Sequence, residues 1–117
     1  MIALFQKVNF ISHSGLRLKW KIECDALTDA EWEGLACIAS EFLPTFGAVE
    51  GVPRGGLKFA QALMPYITSG PLLIVDDVFT TGKSMEDHRQ GRDAIGCVAF
   101  SRGKCPEWIT PLFQMPT

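Results

Sequence analysis

Residues 71–84 read PLLIVDDVFTTGKS. Pro71 opens the stretch, residues 72–75 form an unbroken apolar run, Asp76 and Asp77 follow as adjacent carboxylates, and Thr80, Thr81, Gly82, Lys83 and Ser84 make a small polar loop. An apolar run of this length, bounded by turn residues and β-branched at its end, predicts a central strand covered on both faces. The strand is expected to end in charge at the two acids. In open α/β sheets ligands bind just beyond the carboxyl ends of such strands, so this is where a site is expected.

On the N-terminal side only Ile67, Thr68, Ser69 and Gly70 separate Tyr66 from Pro71. That spacing predicts a tight helix-to-strand turn with no room for an inserted element. Further upstream, residues 48–52 (AVEGV) read as a short strand. Pro53, Arg54, Gly55 and Gly56 read as a sharp loop, and Leu57, Ala60, Leu63 and Met64 mark one side of a second helix. Two glycines between a strand and a helix let backbone N–H groups approach an anion, and a helix N-terminus adds about 0.3–1 kcal/mol per exposed contact. Arg54 offers a planar fork. The same loop reads equally as a structural turn with a solvated arginine. On the C-terminal side come a short polar helix at 85–90, a strand at 94–100, and an extended piece around 108–113 fenced by Pro106, Pro111 and Pro116. Strand alternates with helix from 48 to 100, which predicts an α/β fold with a parallel sheet.

The first third of the chain is different. Leu16, Leu18, Trp20, Ile22 and Cys24 alternate with Arg17, Lys19, Lys21, Glu23 and Asp25, the pattern of a strand with one wet face. His13, Ser14 and Gly15 mark a turn before it, which predicts an N-terminal hairpin over or beside the main sheet. A lid over a site and plain edge cover both fit such a hairpin. Residues 28–42 then give the clearest helix. Thr28 and Glu31 make a capping box, Trp32, Leu35, Ala36, Ala39 and Phe42 recur at helical steps, and Pro44 lies just past the end.

The 117 residues, 47% of them hydrophobic, suit one domain over 1–117. A net charge of -2 with scattered Lys and Arg argues against nucleic acid. The start, MIALFQKVNF, is broken by Gln6, Lys7 and Asn9, so neither a signal peptide nor a membrane span is expected, and a cytoplasmic location is. Cys24, Cys37, Cys97 and Cys105 form no CxxC pair, so reduced thiols are expected in place of disulfides or zinc.

Three chemistries compete for the 71–84 stretch. Gly82-Lys83-Ser84 matches the end of a P-loop, but its first glycine would fall on Asp77, where two carboxylates would face the phosphates. A receiver-type acidic pocket wants its acids after the first strand, not here. The third reading divides the work: two carboxylates accept hydrogen bonds from vicinal hydroxyls, as on a ribose, while the loop offers N–H groups, hydroxyls and Lys83 to a phosphate. A phosphorylated sugar carries both.

The stretch 72–84 closely resembles the PRPP-binding motif of the type I phosphoribosyltransferases, an apolar run, two acids and a Thr-Thr-Gly loop. Gly51-Val52-Pro53-Arg54-Gly55-Gly56 resembles that family's pyrophosphate loop, most like that of orotate phosphoribosyltransferase. The resemblance covers about residues 48–100. It implies a three-layer α/β/α fold with a central parallel sheet and an N-terminal hood. It also implies that Asp76 and Asp77 are the catalytic acids on the ribose hydroxyls. Val78, Thr80, Thr81, Gly82, Lys83 and Ser84 would hold the 5′-phosphate, and Pro53, Arg54, Gly55 and Gly56 the pyrophosphate. Mg²⁺ would arrive on PRPP and touch Asp76 or Asp77, with no protein cage. The implied ligands are PRPP or a nucleotide 5′-monophosphate with a nucleobase acceptor, without nucleic acid or membrane, in a chain that could pair as a homodimer. Family members carry a strand pair and a long catalytic loop where this chain has only 67–70. The implied activity is therefore a minimal phosphoribosyl transfer. A non-catalytic PRPP- or nucleotide-binding module, or a domain that keeps the loops for folding alone, stands beside it.

Overall fold

The computed structural model describes residues 2–11, 15 and 17–116. The elements in order are β1 (Phe5–Ile11), β2 (Arg17–Ile22), a 3-10 turn (Cys24–Ala26), α1 (Asp29–Phe42), β3 (Ala48–Gly51), α2 (Leu57–Leu63), a 3-10 turn (Met64–Tyr66), β4 (Leu72–Phe79), α3 (Lys83–Arg89), β5 (Ala94–Arg102) and β6 (Ile109–Met115). β3-β4-β5-β6 form one sheet in that order, parallel at each pairing, and β1-β2 form a separate antiparallel hairpin. The chain is an α/β fold with a central parallel sheet and an N-terminal hairpin. His13, Ser14 and Leu16, in the expected turn and strand start, lie outside the described residues.

β4 is covered on both faces, as its apolar run predicts. Leu73 and Val75 are fully buried in one cluster with Trp32, Leu35 and Ala39 of α1 and Phe59, Ala60 and Leu63 of α2. Ile74 is fully buried in a second cluster with Met85 of α3, Val98 of β5 and Ile109 of β6. Trp32 packs on Phe59 with ring centroids 5.5 Å apart, which joins α1 to α2. The capping box is present: Thr28 Oγ1 accepts from Glu31 N at 3.1 Å and Glu31 Oε1 from Thr28 N at 2.9 Å. Such a cap stabilises a helix by about 1 kcal/mol.

Four boundaries differ from the sequence expectation. β4 does not stop at the acids but runs through them to Phe79, because Phe100 and Ser101 of the longer β5 continue the pairing opposite Val78 and Phe79. β5 itself extends to Arg102 and α3 begins at Lys83. The alternating stretch 16–25 leaves the strand after Ile22, where Cys24–Ala26 turns in a 3-10 helix and buries Cys24. The extended piece near 108–113 is β6, a fourth parallel strand. Residues 103–108 return the chain to its start without a helix, where parallel neighbours ordinarily need a crossover of a dozen residues or more. Trp108 O accepts from Gly96 N at 2.7 Å and pins that return against β5. Among the described residues, no helix is long and apolar enough to cross a membrane.

Candidate functional site

Successive side chains on a regular strand point to opposite faces. On β4, Leu73, Val75 and Val78 pack in the α1–α2 cluster, while Ile74 and Phe79 pack in the other. Both carboxylates line the same cleft, about 720 Å³ in volume, at the carboxyl end of the sheet. Each acid also caps backbone beside it. Asp76 Oδ1 accepts from Asp77 N and Asp77 Oδ1 from Val78 N, both at 2.8 Å.

Asp76 is 7% exposed. Burial above all, then its hydrogen bond to Asp77 and the charge of that neighbour, pushes its carboxyl up from the ordinary 3.8 to about 8. A neighbouring like charge and the loss of water both disfavour the ionised form of a buried carboxyl.

The 53–56 loop is built against these acids. Val52 N donates to Val75 O and Gly56 N to Val52 O, each at 2.8 Å, so the loop is fastened to β4 one residue before Asp76. Gly55 lies so close to Asp77 that a Cβ there would stand 2.6 Å from the carboxyl carbon, and one on Gly56 would stand 2.5 Å from Val75 O. The glycines are thus required by close approach. The Pro53–Arg54 peptide is cis. The Arg54 side chain is largely exposed and pairs with Asp25 at 3.5 Å, a surface contact of small energy that leaves the guanidinium beside the cleft.

Across the cleft, Gly82 adopts φ 85 ahead of α3, and a Cβ there would meet the Phe79 ring at 2.8 Å. Thr81 and Ser84 are exposed, Thr80 is half-buried, and Lys83 N donates to Thr81 Oγ1 at 3.4 Å. The Lys83 ammonium turns along its own helix to Asp87 at 2.6 Å. Val78, expected with the phosphate-binding group, touches the cleft but packs its side chain into the core. Apart from the buried Gly56, every predicted site residue lines this one cleft.

Several lining residues were not singled out from sequence. Leu18 and Ile22 of the hairpin, Cys24 and Arg102 complete the wall. Burial, with Asp77 beside it, raises the Cys24 thiol well above its usual range, so it is a neutral wall group. Arg102 stacks its guanidinium 3.4 Å over the Trp20 ring and donates to Trp20 O, holding the hairpin to the end of β5. The 82-residue separation leaves no local pattern for that contact. Among the described residues no three His, Cys, Asp or Glu side chains converge as metal ligands.

No protein-family model and no curated protein sequence matches the chain. Solved structures do resemble it. Orotate phosphoribosyltransferase from Aeropyrum pernix superposes with a TM-score of 0.73 at 18% identity, over 96% of this chain and 88% of that one. UMP synthase from Leishmania donovani gives 0.78 at 16% identity, over 96% of this chain and 34% of that one. Orotate phosphoribosyltransferase from Francisella tularensis gives 0.58 at 14%, over 89% and 69%. Parallel sheet, hairpin and flanking helices together make the fold of this chain that of the type I phosphoribosyltransferases.

Proposed function

We propose that this chain binds PRPP in the cleft and transfers its phosphoribosyl group to a nucleobase-like acceptor. The observation that carries the reading is the packing of Gly55 on the Asp77 carboxylate. A loop able to cradle an anion, a pair of hydroxyl acceptors and a second polar loop at 80–84 thereby share one 720 Å³ cleft. The distribution of charge and donors matches a ribose carrying phosphate at one end and pyrophosphate at the other. Two structural neighbours, from Aeropyrum pernix and Francisella tularensis, are orotate phosphoribosyltransferases, in agreement with that chemistry.

In this reading Asp76 and Asp77 accept from the ribose hydroxyls. The N–H groups and hydroxyls of Thr80, Thr81 and Ser84 take the 5′-phosphate, and Gly55 and Arg54 take the pyrophosphate, with Gly56 holding the loop to Val52 from behind. An acceptor nitrogen forms its bond to the anomeric carbon as the bond to pyrophosphate oxygen breaks, and the electron pair leaves with pyrophosphate. The protein contributes position and electrostatic complementarity to the departing group, not a nucleophile. Mg²⁺ fits the donor set, since it is ordinarily held by one or two carboxylates plus phosphate oxygens. Bound with PRPP and touched by Asp76 or Asp77, it would neutralise charge on the leaving group.

The second reading is a binding module without transfer. It is favoured by the connection between α2 and β4, which after Tyr66 is only residues 67–71 and supplies no cover for the cleft. Isothermal titration with Mg²⁺ and PRPP decides the first step: binding is expected, with a rise in melting temperature that grows with ligand concentration. No heat and no shift would remove both readings. Binding without pyrophosphate release in the presence of orotate, uracil, adenine, guanine or hypoxanthine would select the module.

A further inference from the structure

α3 is seven residues long, too short to persist without tertiary support, yet it anchors the C-terminal end of the 80–84 loop. Its buried side chain is Met85. Its other end is held by a charged cluster that neither site loop contains. Glu50 on β3 accepts two parallel hydrogen bonds from Arg92, Nη1 to Oε2 at 3.0 Å and Nη2 to Oε1 at 2.9 Å, and its Oε1 lies 2.9 Å from His88 Nε2. Arg92 also donates to His88 O and Arg89 O at 2.9 Å each, satisfying carbonyls that the end of the helix leaves open. Glu50, His88 and Ser84 line one recess of 560 Å³.

Glu50 stands three residues before Pro53, on the strand that delivers the 53–56 loop. His88 stands four residues after Ser84, on the helix that follows the 80–84 loop. The cluster thus ties together the supports of the two loops from outside the cleft. The geometry points to Glu50 as a positioning residue that fixes the distance between the two phosphate-binding loops, through the bidentate contact with Arg92 and the contact with His88. This rests on the functional reading above. A ligand that spans both loops gains from their fixed spacing, because its second contact is made at high effective concentration, whereas a ligand that meets one loop does not.

The test compares three probes by titration calorimetry: PRPP with Mg²⁺, pyrophosphate with Mg²⁺, and ribose 5-phosphate. For Glu50→Gln the expected result is PRPP affinity lowered about tenfold while each half-ligand stays within about twofold of the wild type. Arg92→Lys, which keeps the charge and gives up the two-pronged contact, should show the same split, and serves alone if Glu50→Gln does not fold. Equal weakening of all three probes would mean that the cluster only maintains the fold, and overturns the assignment. So would unchanged PRPP binding in a folded variant, or failure of both variants to fold. A wild type that binds PRPP while the variants show no split leaves the functional reading standing without this refinement. A wild type that does not bind PRPP removes both.

Discussion

A carboxyl that prefers its proton at neutral pH leaves a signature in the stability of the folded chain. Asp76 is raised from 3.8 to about 8 by burial and by Asp77, so the folded protein retains a proton that the unfolded chain releases between those values. The stability linked to that proton is fully present below the unfolded value and is lost as pH climbs through about 8. Asp76→Asn removes the ionisation but keeps an oxygen for the bond from Asp77 N. Its stability relative to the wild type should therefore increase between about pH 4 and pH 8, measured by urea unfolding at several pH values. A constant difference would show that Asp76 titrates normally. The glycines give a second expectation at this scale. Gly82→Ala meets both a positive φ and the Phe79 ring, and should lower unfolding stability by about 1–3 kcal/mol. Gly55→Ala places its new carbon against a carboxylate, so the larger loss should be in PRPP binding.

Among the elements, the hairpin has the most conditional attachment. Beyond its own pairing it is held by Arg102 stacking on Trp20, by Ile22 buried in the main core cluster, and by Phe5 edge-on to Phe100 at 6.3 Å between centroids. A partly desolvated cation–π contact contributes about 1–2 kcal/mol. Arg102→Ala should accordingly speed hydrogen exchange in β1 and β2 by about tenfold while β4 and β5 amides stay protected. Equal exchange across the whole chain would mean that hairpin and sheet open together. These contacts also mark where sequence reading stopped. The capping box of α1, the buried run of β4 and the glycine at 82 are each dictated by residues within a few positions, and their patterns were visible. Arg102 with Trp20, and Glu50 with His88 and Arg92, join residues 38–82 positions apart through side chains whose local context reads only as charged surface. The continuation of β4 past Asp76 was also illegible, because it depends on pairing with the full length of β5. An apolar run followed by acids reads as a strand that has ended.

At the scale of the molecule, what surrounds the cleft sets what the chemistry can tolerate. The 53–56 loop closes one side, the 80–84 loop a second and the hairpin a third. The link from α2 to β4 lies at the opposite, amino end of the parallel sheet, since it delivers the chain to Leu72, and it is too short to reach round. The site is consequently a trough open to water on its remaining side. Enzymes that generate an oxocarbenium-like centre ordinarily exclude water, because water competes with the acceptor. If the cleft performs the transfer proposed above, PRPP with Mg²⁺ and no base should release pyrophosphate faster than buffer does, and an added acceptor should suppress the hydrolytic product only in part. Separation of ribose 5-phosphate from nucleotide product by ion-exchange chromatography measures the partition. Turnover with base but no release without it would show that the trough does close during the reaction. Of the three walls, the hairpin would then be the one to move, since the other two are hydrogen-bonded to or continuous with β4, and Arg102→Ala should make such an enzyme leak.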